Sequence, residues 1–258
     1  MVARELTQVE RLLSLGGPTE DAKNYHAWSH RIALHKHFRT SIEDEIAMVE
    51  RCLARDPRNN SAWAHRAALL WSDVTHTDTN VDRDGVFGVR DVTKSWVRRD
   101  LAYVARVLRR GGWYNESPWF YLGGLMSLPG VSIHHWSPTP AVTSGRPTSS
   151  EEDEDEDGDR VGDADADWGR CRSVPHLVAE ALGVVPGCPL ALGCLVTYLE
   201  HLGAAWAREG ESDPIRRDDC RACWREAEVV CARLAAADTV RAGYWRARGR
   251  RIRERVIG

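Results

Sequence analysis

Phenylalanine is scarce in this sequence, three in 258 residues, while tryptophan occurs eleven times. A bulky residue used so often in place of a commoner one suggests a repeat with a fixed Trp position. Charge of one sign is also lacking, since the net value is only −3. That gives no support to nucleic-acid binding, which favours strongly basic domains. No apolar run reads as long enough to cross a bilayer, so no direct membrane insertion is expected. The opening MVARELTQVE lacks the apolar centre of a secretory signal. Cysteines Cys52, Cys171, Cys188, Cys194, Cys220, Cys223 and Cys231 are odd in number and scattered. They fit reduced thiols and a cytoplasmic location, not a disulfide framework.

What is present is the repeat. Residues 24–34 read NYHAWSHRIAL, 59–69 read NNSAWAHRAAL and 115–125 read NESPWFYLGGL. Aligned on Trp28, Trp63 and Trp119, each copy has Asn four residues before Trp and Leu six after it. The first two also share Ala27/Ala62, His30/His65 and Arg31/Arg66. A spacing of 35 residues between Trp28 and Trp63 is that of a helical hairpin. Asn24, Asn59 and Asn115 suit N-caps, and Pro118 falls in a first turn, where its missing N–H is harmless. Trp28 with Ile32, and Trp63 with Ala67, make an apolar face at i,i+4. Between copies, Ile42, Ile46, Val49 and Leu53 recur at helical spacing, and Asp56–Pro57 closes the segment. Helix, turn, helix, repeated, predicts an all-α solenoid.

The third unit is spaced wider, with 74–92 read as an inserted loop. A helix is predicted over Ser95–Leu108, with Trp96, Val104 and Leu108 inward. Residues 137–170 are Pro/Ser/Thr-rich and then densely acidic (EEDEDEDGDRVGDADAD), a composition that cannot offset ordering entropy, so disorder is expected. The organisation is therefore helical repeats over 1–136, an acidic insertion over 137–170, and further repeats of the same domain over 171–258. Helices are predicted near 173–185, 188–207 and 217–236, with a basic one at the end (TVRAGYWRARGRRIRERVIG).

Several residues invite a chemical reading. His26 and His30 share a helix face at i,i+4, but a third ligand is not evident, so no metal is assigned. Recurrence of His30 as His65 suggests packing or a subunit contact instead. Cys220 and Cys223 stand at C-x-x-C spacing without a second pair, and read as small core residues. "IHHW" at 133–136 reads as loop, the acidic run as solvated insertion, and the basic terminal helix as a subunit contact or solvated face. Lys23 and Tyr25 flank the cap Asn24. A helix N-terminus favours anions, yet from the residues alone this pair reads first as a solvated lysine and a packing tyrosine.

The motifs AKNYHAW-HR, RNNS-W--R, NES-W-YL-GL and T-R--YWR--GR resemble, in order, the repeats and terminal helix of the α subunit shared by protein farnesyltransferase and type I geranylgeranyltransferase. The resemblance covers most of 5–130 and 174–256. It implies a right-handed superhelix of helical hairpins around a β subunit. It also implies transfer of farnesyl or geranylgeranyl from the prenyl diphosphate to a CaaX cysteine of substrate proteins. Lys23 and Tyr25 become the candidate catalytic and diphosphate-binding residues. Zinc would sit in the β subunit, and magnesium would assist farnesyl transfer. The family carries further N-terminal repeats that this chain lacks. Two alternatives stay open: the type II (Rab) α subunit, which shares the Trp repeat, and a truncated helical scaffold without catalysis.

Overall fold

The computed structural model describes residues 2–15, 23–76, 94–127, 173–209 and 214–257. The insertion at 137–170, "IHHW" and Cys171 lie outside the described residues, as does most of the loop expected at 74–92. Among the described residues there are ten α-helices and no strand. They are α1 (Val2–Leu15), α2 (Tyr25–Phe38), α3 (Ile42–Arg55), α4 (Asn60–His76) and α5 (Lys94–Gly111). There follow α6 (Glu116–Met126), α7 (Val174–Val184), α8 (Pro189–Glu209), α9 (Pro214–Ala237) and α10 (Ala242–Ile257). Consecutive helices pair as hairpins: α1 with α2, α3 with α4, α5 with α6, α7 with α8, α9 with α10. The second helices also stack on one another, α2 on α4, α4 on α6 and α6 on α8. This is the α-solenoid the periodicity predicts.

The helix starts follow from local chemistry. Asn24 Oδ1 accepts the Ala27 N–H at 3.1 Å, Asn59 Oδ1 that of Ala62 at 3.1 Å, and Asn115 Oδ1 that of Ser117 at 3.2 Å. Each satisfies a first-turn donor that has no partner inside the helix. Ser41 and Ser173 cap α3 and α7 in the same way. Ile46, Val49 and Leu53 are buried and Ile42 packs beside them, as their spacing requires. Val104 and Leu108 point inward from α5, while the Trp96 side chain lies outside the described residues. α4 runs to His76, into the predicted loop, and α9 begins at Pro214, earlier than predicted. The Trp-centred pattern does not reveal α1, which buries Val9 and Leu13 with Leu6 beside them.

Sequence reading expected no run long enough to cross a membrane, and α8 corrects it. By length and composition this helix passes that test. Its neighbours explain the apolarity: α6, α7 and α9 all pack on α8, and Leu192, Val196, Leu199 and Leu202 are buried there. A helix enclosed by neighbours is apolar on several faces for the same reason a membrane span is.

Two recurring nodes bind one hairpin to the next. The first is the carbonyl two residues ahead of a cap. Pro57 O accepts the Trp63 indole N–H at 2.9 Å and the Asn115 amide of the next repeat at 2.9 Å. Trp113 O accepts the Trp119 indole N–H at 3.0 Å and lies 3.7 Å from the Cys188 thiol. Cys188 thus stands where Asn115 stands one repeat earlier, and Leu192 takes the Trp position. Its N–H bonds Cys188 O at 3.1 Å, as Trp28 N–H bonds Asn24 O at 3.1 Å.

The second node is a buried carboxylate. Glu45 of α3 receives Arg31 from the preceding hairpin, Nε at 2.8 Å, and His65 from its own, Nε2 at 3.1 Å. Asp100 of α5 receives Arg66 from the preceding hairpin, Nε at 3.1 Å, and the Tyr121 hydroxyl from its own at 2.9 Å. His65 and Tyr121 both lie two residues past their Trp, and each packs against the Trp of the repeat before, at 5.1 and 4.9 Å between ring centroids. Burial opposes the Glu45 charge, but the His65 bond and then Arg31 outweigh it and hold the carboxyl below its ordinary value. Burial likewise opposes the Arg66 charge, and Asp100 overrides it. The Tyr121 hydroxyl is kept protonated by burial and by the neighbouring Asp100 charge.

Candidate functional site

The caps place the N-terminal ends of α2, α4 and α6 along one edge. The turn carrying Asp56, Pro57, Arg58 and Asn59 lies between its neighbours on that edge. On one side Lys23 Nζ reaches Asp56 Oδ2 at 3.1 Å. On the other, Asn115 bonds Pro57 O, and the Ser117 hydroxyl donates to Asn60 Oδ1 at 2.6 Å. Lys23 and Arg58 lie on this edge together with the Asp56 and Glu116 carboxylates, and a helix N-terminus there favours anions.

Lys23 and Tyr25 are both on this edge. Lys23 precedes the cap and its side chain is 45% exposed. Tyr25 opens α2, is 73% exposed, and meets the His26 ring edge-on at 5.7 Å. At that exposure Tyr25 is not a core packing residue of this chain, which corrects the reading from the residues alone. Tyr114, one residue ahead of Asn115, is also exposed, adding a second phenol to the same edge. Sequence reading did not single out Tyr114, Arg58 or the Asp56 carboxylate. Their signal was their place beside the cap asparagines, which becomes informative only once the caps are known to align.

The remaining candidates fall into the core or stay apart. His26 and His30 are exposed, and His30 Nε2 lies 3.4 Å from Glu5 of α1. His65, its repeat equivalent, is buried against Glu45, so the two positions each meet a carboxylate but only His65 is packed in the core. Among the described residues no group of three or more His, Cys, Asp and Glu is arranged to hold a metal. Cys220 and Cys223 are buried on one face of α9, as core residues. The Trp224 indole N–H donates to Cys220 Sγ at 3.1 Å, and burial pushes the Cys223 thiol up to about 12. The six described cysteines are free thiols. In α10, Trp245, Gly249 and Ile252 face inward, while Arg246, Arg250 and Arg251 are exposed. Arg248 pairs with Glu200 and Arg253 with Glu228.

Comparison with known proteins bears on the first two hairpins. A family described as protein prenyltransferase alpha subunit repeat matches residues 3–38 and 42–72. These two spans coincide with α1–α2 and with α3 and most of α4. Beyond them, α5–α6 repeats the carbonyl node at Trp113 and the carboxylate node at Asp100, and α7–α8 joins the former through Cys188. A search of curated proteins finds no match.

Proposed function

Because residues 3–38 and 42–72 match the protein prenyltransferase alpha subunit repeat, we propose that this chain is the α subunit of a heterodimeric type I protein prenyltransferase. A β subunit partner is what the family implies. The reaction is attack of a CaaX cysteine thiolate on C1 of farnesyl or geranylgeranyl diphosphate. The C1–oxygen bond breaks and diphosphate leaves. Negative charge collects on that leaving group, and donors aimed at it lower the barrier. Lys23 and Tyr25 would meet it from this chain. Zinc is assigned to the β subunit, and magnesium to diphosphate departure in farnesyl transfer. Free thiols support a cytoplasmic location.

The observation that carries the reading is the repeat match itself, on hairpins in which Lys23 and Tyr25 flank the start of α2. The test is Lys23→Ala in the assembled heterodimer. Single-turnover transfer to a fluorescent CaaX peptide is expected to slow by roughly 10- to 1000-fold, the range for losing one aimed donor. Affinity for the prenyl diphosphate should fall less. Heterodimer assembly should survive, since Lys23 is exposed. A wild-type rate in the intact heterodimer would leave this chain as a scaffold. Transfer to a Rab-type double-cysteine end, and not to CaaX, would assign it to the type II enzyme.

A further inference from the structure

Asp56 is held in place by its backbone and by one of its two oxygens. Its N–H bonds Cys52 O at 3.0 Å, its carbonyl accepts the Asn59 N–H at 3.0 Å, and Oδ1 accepts the Arg58 N–H at 2.9 Å. Oδ2 is left for Lys23, with Nζ at 3.1 Å. The two side chains are 45% and 31% exposed, and ion pairs so open to water add little to stability. The contact therefore has little worth as a brace. Its worth lies in what it does to Lys23. A lysine side chain is long and rotamer-rich, and it projects here from a residue outside the helix. Its ammonium has three N–H donors. Among the described residues one acceptor, fixed by backbone geometry, holds that cation at the edge, and an ammonium so held has two further donors to offer.

We infer that Asp56 is a positioning residue, which fixes the Lys23 ammonium at the open edge so that its remaining donors meet the departing diphosphate. The inference rests on the reading of Lys23 given above. A donor already in place stabilises developing charge without first being gathered from many rotamers. The Asp56 charge itself opposes binding of an anion in the ground state. Its removal therefore separates two effects: the chemical step slows, while the prenyl diphosphate binds as well as before or better.

Asp56→Asn is the substitution that isolates this role. Asparagine keeps an oxygen for the Arg58 N–H, so the turn persists. Its other group is an NH2 donor, which cannot accept from Lys23. In the assembled heterodimer, supplied with farnesyl or geranylgeranyl diphosphate and a CaaX peptide, the single-turnover rate is expected to fall roughly 3- to 30-fold. The dissociation constant for the prenyl diphosphate should stay level or drop, and the melting temperature should hold. In a Lys23→Ala background the same substitution should leave the single-turnover rate unchanged. A wild-type rate for Asp56→Asn, where Lys23→Ala is slow, overturns the inference alone. Equal slowing in both backgrounds also overturns it, since Asp56 would then act without Lys23. A Lys23→Ala heterodimer that runs at the wild-type rate sinks the Lys23 reading instead.

Discussion

Glu45 carries partners from two hairpins in a place closed to water. Arg31 and His65 are buried with it, so removing the carboxylate strands a guanidinium that keeps a bond to Leu6 O at 3.3 Å. Breaking a buried pair from one side is costly because the remaining charge stays desolvated. Glu45→Ala should therefore lose roughly 3–5 kcal/mol of stability, measured by urea denaturation. An unchanged midpoint at unchanged slope would mean the node is dispensable. Half of this node was legible in the sequence. Arg31 and Arg66, and His30 and His65, recur at fixed offsets from Trp. Their acids do not: Glu45 lies 14 residues beyond Arg31, and Asp100 lies 34 beyond Arg66. Residues 77–93 intervene in the second case, so spacing alone could not pair them.

Helix ends are decided by neighbours in the chain, and the three cap asparagines were readable for that reason. The fourth hairpin's helices were read near 173–185 and 188–207, but its place in the repeat was not, because Cys188 and Leu192 keep the geometry while changing both letters. Helix packing adds constraints of its own. Gly203 lies inside α8, where glycine ordinarily weakens a helix. A Cβ built there would stand 2.8 Å from Trp224 Cε2, and the indole is fixed by its bond to Cys220 Sγ. Gly203→Ala would gain about 0.5–1 kcal/mol from backbone entropy alone. Overpacking against a pinned ring should outweigh that, for a net loss of roughly 1–3 kcal/mol. Thermal melts of the variant check the sign, and a raised melting temperature would show that α8 and α9 part easily.

Across the whole molecule, titration should narrow stability from both sides. On the acid side, Glu45 sits below its ordinary 4.5 through His65 and Arg31 acting against burial. Asp238 sits below 3.8, chiefly through the Trp245 indole N–H and then Arg241. Where the folded value is lowered, the contribution is complete above the unfolded value and is lost as pH falls through the folded one. On the alkaline side, burial raises the Cys194 and Cys223 thiols to about 12 and Cys231 to about 11, from 9.0. Unfolding releases those protons above pH 9.0, so stability falls as pH climbs from there. Melting temperature, measured with reductant, should be level near neutrality and drop below pH 4.5 and above pH 9.0. A flat profile from pH 9.0 upward would show that the thiols are not buried in solution.

By itself the sequence determined the all-α repeat, its caps, its Trp faces and the residues Lys23 and Tyr25 that mark one helix start. Those features depend on contacts a few residues apart, which periodicity and capping chemistry express directly. Tertiary structure alone decided that the helix starts align on one edge, that Glu45 and Asp100 join successive hairpins, and that Asp56 meets Lys23. Each of these joins residues from different helices, and the distance between them along the chain is set by intervening lengths that vary from one repeat to the next. The packing of second helix on second helix restores the register that those lengths obscure.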